Sequence, residues 1–330
     1  MKHPPPLFVP PLFVEVTRGP AVESRHAVHA VVMDGRGKIT AVFGDPERPT
    51  FPRSCIKPLQ SLALVETGAA DAFNLSDAEL ALACASHSGE DKHTQAVAAW
   101  LDRLGLDESA LECGAHTPMA SSLLPPGVLC NNCSGKHAGM VTLSYFMKTP
   151  HMGYTYTGHP VQQAILGAVG DMCGVRINPL ACGIDGCSAP NPLLPLKNIA
   201  RGFANFMNPQ TLSPVRAAAC RRLFQAMLKH PDLVAGTGRL DTVLMNAAQG
   251  KILSKTGAEG VYACVIPDKD TVIVLKAEDG AARASQAALF ALLEKFRLAE
   301  AAVLGAIRPL VLPQQKNWRG TETGVIRVPV

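Results

Sequence analysis

A chain of 330 residues with 47% hydrophobic content can bury one large core or two smaller ones. Its 31 Lys and Arg against 27 Asp and Glu leave a formal net charge of only +4, and the longest basic cluster, Arg221-Arg222, sits inside an apolar helical pattern, which excludes a nucleic-acid role. No stretch reaches the roughly 20 apolar residues of a membrane helix, and prolines interrupt the start "MKHPPPLFVPPLFVEV" before the apolar core of an export signal can form, so the expected location is the cytoplasm.

In chain order, "HAVHAVVM", the turn "DGRG" and "KITAVF" predict a β-hairpin, because β-branched residues flank an Asp-Gly dipeptide suited to positive φ. From Ser54 the pattern turns helical and stays so up to Gly250. In "FPRSCIKPLQSLALVETG", Ile56, Leu59, Leu62 and Ala63 fall at helical spacing, Pro58 is tolerable only near a helix start, and Gly68 makes a stop. Ser54 and Lys57 then share one helix face. "SDAELALACA" carries a capping-box pattern at Ser76 and Glu79, and "DKHTQAVAAWLDRL", "GKHAGMVTLSYFMK" and "PVRAAACRRLFQAML" predict further helices. After Gly250 the texture reverses. "GVYACVIP", the turn "DKD" and "TVIVLKAED" make a second hairpin, followed by a helix at "ARASQAALFALLEKF" and a last strand at "TGVIRVPV".

Strands at both ends bracketing helices predict an α/β (α+β) fold: one antiparallel sheet built from both termini, covered by the C-terminal helix, with an inserted α lobe. The expected organisation is one catalytic unit over 1–330, with a sheet lobe of 1–53 plus 250–330 and a helical lobe of 54–249. The alternative, two sequential domains cut near Gly250, leaves the first hairpin as an isolated and marginal sheet.

Three motifs carry chemistry. Ser54-x-x-Lys57 alone is weak, since chance supplies about 0.6 such pairs in a chain of this composition, and it also fits a capping serine beside a solvated lysine. Its chemistry is specific nonetheless: an amine at i+3 can reach the serine oxygen, and burial among cations lowers its pKa until it can take the serine proton. Lys255-Thr256-Gly257 is expected only about 0.06 times by chance and stands at the entrance to a predicted strand. Serine enzymes that recognise penicillin combine Ser-x-x-Lys, Ser-x-Asn and Lys-Thr-Gly in that order. Here Ser86-His87-Ser88 can serve as the middle element, with Ser88 in place of Asn. The third constellation is "CNNCSGKHAG" with "ACGIDGCS". Of the ten cysteines, which in a cytoplasmic chain point to thiols, metal or catalysis sooner than disulfides, Cys130, Cys133, Cys182 and Cys187 have spacings that suit a four-cysteine zinc site. Small buried thiols in packed turns are the alternative.

Together "RSCIK", "SHSGE", "CNNCSGKHAGM", "CGIDGCSAP", "SKTGAEGVY" and "KAEDGAARA" resemble the rhizobial-type (class 3) L-asparaginases of the L-asparaginase II family, from about Val14 to Val330. The resemblance implies a serine β-lactamase-like fold and hydrolysis of the side-chain amide of L-asparagine to L-aspartate and ammonia. It implies two Ser-Lys pairs, Ser54 with Lys57 and Ser86 with Lys255, and one zinc ion per chain on Cys133, Lys136 and Cys187 with Asp185 behind them. That ligand set displaces the four-cysteine reading and returns Cys130 and Cys182 to structural roles. It also implies a homodimer. By analogy with the β-lactamase fold, the N–H of Ala258 would complete an oxyanion hole with that of Ser54. Arg53, or alternatively Arg283, would pair with the substrate α-carboxylate. Rival readings are a penicillin-recognising enzyme, another serine amidohydrolase such as a glutaminase, and a zinc-binding or redox module built on Cys130 and Cys133.

Overall fold

The computed structural model describes residues 9–120 and 125–330. Three strands come from the N-terminal part, β1 (Leu12–Arg18), β2 (Ala21–Asp34) and β3 (Ile39–Phe43). Four come from the C-terminal part: β4 (Leu253–Thr256), β5 (Val261–Ile266), β6 (Thr271–Ala277) and β7 (Ile326–Arg327). They form one seven-stranded sheet in the order β7-β1-β2-β6-β5-β4, with β3 also beside β2. The junction between the two sets is antiparallel, with Thr271 opposite Asp34 and Ala277 opposite Val28, so the first hairpin is not an isolated sheet. The predicted turn after β2 is held by Asp34 Oδ1, which accepts the N–H groups of Arg36 and Lys38 at 2.9 Å each, while Gly37 takes a φ of 81° that costs a residue without a Cβ nothing.

The sheet is buried on both faces, as alternation along its strands dictates. Val261, Ala263 and Val265 of β5 join Val31, Met33, Val272 and Val274 in the core shared with the helical insert. Tyr262, Cys264 and Ile266 join Ala30, Val32, Ile273 and Leu275 in a second core, which also takes in the C-terminal helices. Each fully buried Val, Leu or Ile contributes about 1.5–3 kcal/mol relative to exposure, so a one-residue slip in β5 would exchange the partners of both layers. The insert includes, besides short turns of helix, α1 (Lys57–Gln60), α2 (Leu62–Glu66), α3 (Asp77–Ala83), α4 (Asp91–Arg103), α5 (Ser134–Phe146), α6 (Pro160–Cys173), α7 (Leu196–Met207), α8 (Pro214–Lys229) and α9 (Leu240–Ala247). After it come α10 (Ala282–Lys295) and α11 (Ala301–Val311). No helix among the described residues is long and apolar enough to cross a membrane.

Four elements differ from the sequence reading. Lys255 and Thr256 end a strand of their own, β4, where the sequence put them at the entrance to β5. The helix expected from Ser54 is broken into a 3-10 turn, Arg53–Ile56, followed by α1 and α2. Pro58 withholds one N–H there, and the Ser61 hydroxyl donates back to Lys57 O at 3.0 Å, a local bond that bends helices. Strand β1 was hidden by the prolines before it, although "LFVEVTR" buries most of its length. Helix α11 contains Pro309, which reads as a helix breaker.

Candidate active site

Two buried lysines converge on one serine hydroxyl. Lys57 Nζ, at the start of α1, donates to Ser86 Oγ at 3.1 Å, to Ala85 O at 2.5 Å and to Asn132 O at 3.3 Å. Lys255 Nζ, from β4, donates to the same Ser86 Oγ at 2.9 Å and to Thr256 O at 2.7 Å. Ser86 lies in the loop after α3, where its N–H is held by Val234 O at 2.9 Å. Lys57, Ser86 and Lys255 are 1%, 4% and 0% exposed, so neither ammonium is screened by water. Burial is the main force that lowers the Lys255 pKa to about 7; the carboxylate of Asp241 opposes this and the charge of Lys57 reinforces it. An amine poised there can hold or release a proton at neutral pH. A hydroxyl oxygen accepts two hydrogen bonds and still keeps one proton to donate, so Ser86 is wired as a relay between two amines and a third group.

Ser54 is half-buried on the 3-10 turn. It shares that turn with Lys57, but the Lys57 amine is turned to Ser86, and no hydrogen bond reaches the Ser54 hydroxyl among the described residues. Arg53, just before it, has a φ of 52°, a left-handed conformation uncommon outside glycine and found where surroundings over-determine the backbone. The end of β4 presses on this turn: a Cβ on Gly257 would lie 2.8 Å from Pro52 O and 3.0 Å from Cys55 N. The glycine of Lys-Thr-Gly therefore lets the strand carrying Lys255 pass close to the turn carrying Ser54. Ala258 follows, exposed, and its N–H has no protein partner among the described residues.

The two arginines singled out in the sequence lie apart. Arg53 Nε donates to Asp185 Oδ1 at 2.8 Å. Arg283 is exposed at the start of α10 and donates to His26 Nε2 at 2.9 Å, on β2, three inter-strand steps of about 4.8 Å from β4. It is not brought to the lysine pair.

Two residues of this site went unread in the sequence. Asp241, in the first turn of α9 and 2% exposed, accepts the Ser254 hydroxyl at 2.7 Å, the Tyr262 hydroxyl, and the Thr256 N–H at 3.0 Å. It clamps β4 on both sides of Lys255. Arg239, immediately before α9, donates from Nη1 to Ser86 O at 2.7 Å. The signal for Asp241 was an acid inside the apolar run "RLDTVLM"; Arg239 carried none.

A second polar cluster lies under the same loops. Cys133, at the start of α5, Lys136 one turn on, and Cys187 are 4%, 4% and 3% exposed, with Lys136 Nζ 3.1 Å from Cys187 Sγ. The Cys133 thiol donates to Asn132 Oδ1 at 3.1 Å; with Cys133 beside it and the Lys136 ammonium adding to this, the Cys187 thiol is held far below its usual pKa, while that of Cys133 is raised by its neighbour Cys187 and by burial. Burial would lower the Lys136 pKa, but the Cys187 thiolate, with Cys133 beside it, outweighs that cost and holds the amine protonated. Cys130 and Cys182 are only half-buried and stand outside this cluster. The ten cysteines form no disulfide among the described residues, and no three His, Cys, Asp or Glu side chains there are grouped to hold a metal. The convergent donors are two sulfurs and one lysine nitrogen. The turn between the clusters joins them, since Asp185 holds Arg53 and Cys187 holds Lys136 two residues later.

Comparison with known proteins adds the following. A family model described as L-asparaginase II matches residues 14–328. No curated protein sequence matches the chain. Among solved structures, the chain is similar to a β-lactamase from Mycobacterium bovis at 16% identity, over 82% of this chain and 94% of that one, with a TM-score of 0.41. It is also similar to a protein provisionally described as a β-lactamase from Bacteroides dorei DSM 17855, at 11% identity over 84% and 90%, with a TM-score of 0.39.

Proposed function

We propose, from the premise that the chain belongs to the L-asparaginase II family, that this amidohydrolase cuts the side-chain amide of L-asparagine to L-aspartate and ammonia. The observation that carries the reading is the pair of buried lysines on Ser86 beside the half-exposed Ser54. A substrate can reach Ser54 but not the sealed Ser86, so Ser54 is the nucleophile and Ser86 the relay. Lys57 first passes a proton through Ser86 to the neutral Lys255 amine; Ser54 Oγ then attacks the carboxamide carbon and its proton passes to the freed Lys57 amine. The C–N bond then breaks as the tetrahedral centre collapses, a proton delivered from Lys255 through Ser86 leaves with the nitrogen as ammonia, and a β-aspartyl ester remains. Water hydrolyses that ester, with the same amines taking its proton. The missing Ser54–Lys57 hydrogen bond is no objection, since catalytic bonds often tighten only with substrate bound. The N–H groups of Ser54 and Ala258 suit the oxyanion.

Cys133, Lys136 and Cys187 would hold one zinc ion, for which a thiolate, a thiol and an amine 3.1 Å from the thiolate are a fitting donor set once the protons leave. Bound there, zinc would tie α5 to the Asp185 turn. The Ser-Lys groups already supply nucleophile, base and relay, so the ion's part is to shape the pocket. A homodimer is part of the same reading and is checked by light scattering.

Ammonia release from asparagine, glutamine and simple amides tests the assignment. Asparagine should lead glutamine by about a hundredfold in kcat/KM, because one methylene displaces the carboxamide from Ser54 by about an ångström. Equal efficiencies, or release from simple amides alone, would overturn it.

A further inference from the structure

A site for asparagine needs a cation that is not already neutralised. Arg53 is spent in part on Asp185, and Arg283 stands on His26 three strands away. Arg239 is different. Among the described residues it donates to the carbonyl of Ser86 at 2.7 Å and, weakly, to Met119 Sδ at 3.9 Å, both from Nη1. Among the described residues it meets no carboxylate within ion-pair distance. A guanidinium has five N–H donors, so its Nε and Nη2 edge is left for a planar anion. It is half-buried and close enough for its charge to bear on both Lys255 and His87.

The charge balance points the same way. Lys57, Lys255 and Arg239 gather round Ser86 against one carboxylate, Asp241, whose oxygens are already taken by two hydroxyls and the Thr256 N–H. Arg53 and Asp185 cancel each other. The cleft is short of an anion that an α-carboxylate would supply.

We propose that Arg239 anchors the substrate α-carboxylate. It grips that group through its Nε and Nη2 edge while its Nη1 bond to Ser86 O fixes the distance between carboxylate and reacting amide. This rests on the amidohydrolase reading and names what the site selects: side-chain amides of α-amino acids, measured by the span from carboxylate to carboxamide. Arg239 is a specificity residue and takes no part in proton transfer.

The test compares asparagine with 3-aminopropanamide, the same amide without its α-carboxylate, in the wild type, Arg239→Gln and Arg239→Lys, with thermal unfolding showing that each variant folds. In Arg239→Gln the ratio of kcat/KM for asparagine to that for 3-aminopropanamide should fall about a hundredfold, as loss of a buried ion-pair partner does. The change should lie in KM, with Arg239→Lys intermediate and added guanidinium restoring part of the loss. Equal losses on both amides, or an unchanged ratio, would overturn the proposal by reducing Arg239 to a brace for Ser86. L-Aspartate binding by calorimetry separates the two levels. If the wild type releases no ammonia yet binds aspartate, and Arg239→Gln does not bind it, the reaction falls and the anchor stands; equal binding by both proteins, or none by either, sinks the anchor.

Discussion

Two lysines in this molecule are both buried and end in opposite states. Lys255 is pulled down to about pH 7 by burial, with the Lys57 cation adding to it. Lys136, also buried, is pushed above its usual value because Cys187 and Cys133 face it. Burial sets the scale of the perturbation, and the sign of the neighbouring charge sets its direction. One cluster therefore holds an amine ready to exchange protons, while the other holds an ion pair with no spare valence for acid–base work. Chemistry should reside in the first and positioning in the second, and substitutions can separate the two.

The largest effect is expected at Ser54. Ser54→Ala should lower kcat by 10⁴-fold or more, as loss of an activated nucleophile does, with stability within about 0.5 kcal/mol because the hydroxyl has no partner to lose. A variant keeping a tenth of normal turnover would move the attack to Ser86. Lys57→Arg comes next, with an expected loss of roughly 10²–10⁴-fold, since guanidinium keeps the cation and cannot act as a base. Arginine is also larger, and overpacking costs about 1–3 kcal/mol, so turnover is read only on folded protein. Substantial turnover would make Lys57 an electrostatic partner and give the base role to Lys255.

The pH profile sharpens the contrast. Because resting Lys255 must be neutral to relieve Lys57 of its proton, kcat/KM should fall as pH drops through about 7, close to tenfold per unit below the limb. Asp241 raises the Lys255 pKa, so Asp241→Asn should move that limb to lower pH, leaving the variant relatively more active in mild acid even as its maximum rate declines. A limb that stays put, with only the maximum changed, would reduce Asp241 to a brace for β4.

The parts of the site visible in the sequence were those set by local geometry. Three-residue spacing puts Ser54 and Lys57 on one turn whatever the tertiary fold, and Lys255-Thr256-Gly257 announces a glycine needed for close approach, although its Lys and Thr end a strand of their own and do not open β5. What no local rule contains is that Lys57 turns to Ser86, because that depends on how α1, the loop after α3 and β4 meet. Asp241 was hidden for a related reason: an acid in the first turn of a helix has an adequate local explanation in the helix dipole, and only the docking of α9 on β4 gives it Ser254, Tyr262 and Thr256. Much of the fold was visible through alternation and helical periodicity. Strand β1 and helix α11 were missed where proline, a valid local signal, was outweighed by packing.

The smallest effect belongs to the second cluster, and it is the one that tests the division of labour. Cys187→Ala should abolish zinc binding measured by elemental analysis, where we propose one ion per wild-type chain. The variant also strands the Lys136 ammonium without its thiolate, and removing one partner of a buried pair typically costs about 3–5 kcal/mol, so its unfolding temperature should fall. The kinetic consequence should be modest and of a particular kind. Asp185 sits two residues before Cys187 and holds Arg53 at 2.8 Å, so loosening this turn releases the residue next to Ser54 without removing any group that moves a proton. KM for asparagine should rise several-fold while kcat changes less. Cys182→Ala, whose half-buried thiol lies outside the cluster, should keep both zinc and KM. If Cys182→Ala alone lost the metal, the four-cysteine alternative would return. If kcat of Cys187→Ala collapsed at saturating asparagine, and that of a chelated wild type collapsed likewise and recovered when zinc was restored, the ion would belong to the chemistry, and the separation between the two lysine environments would fail.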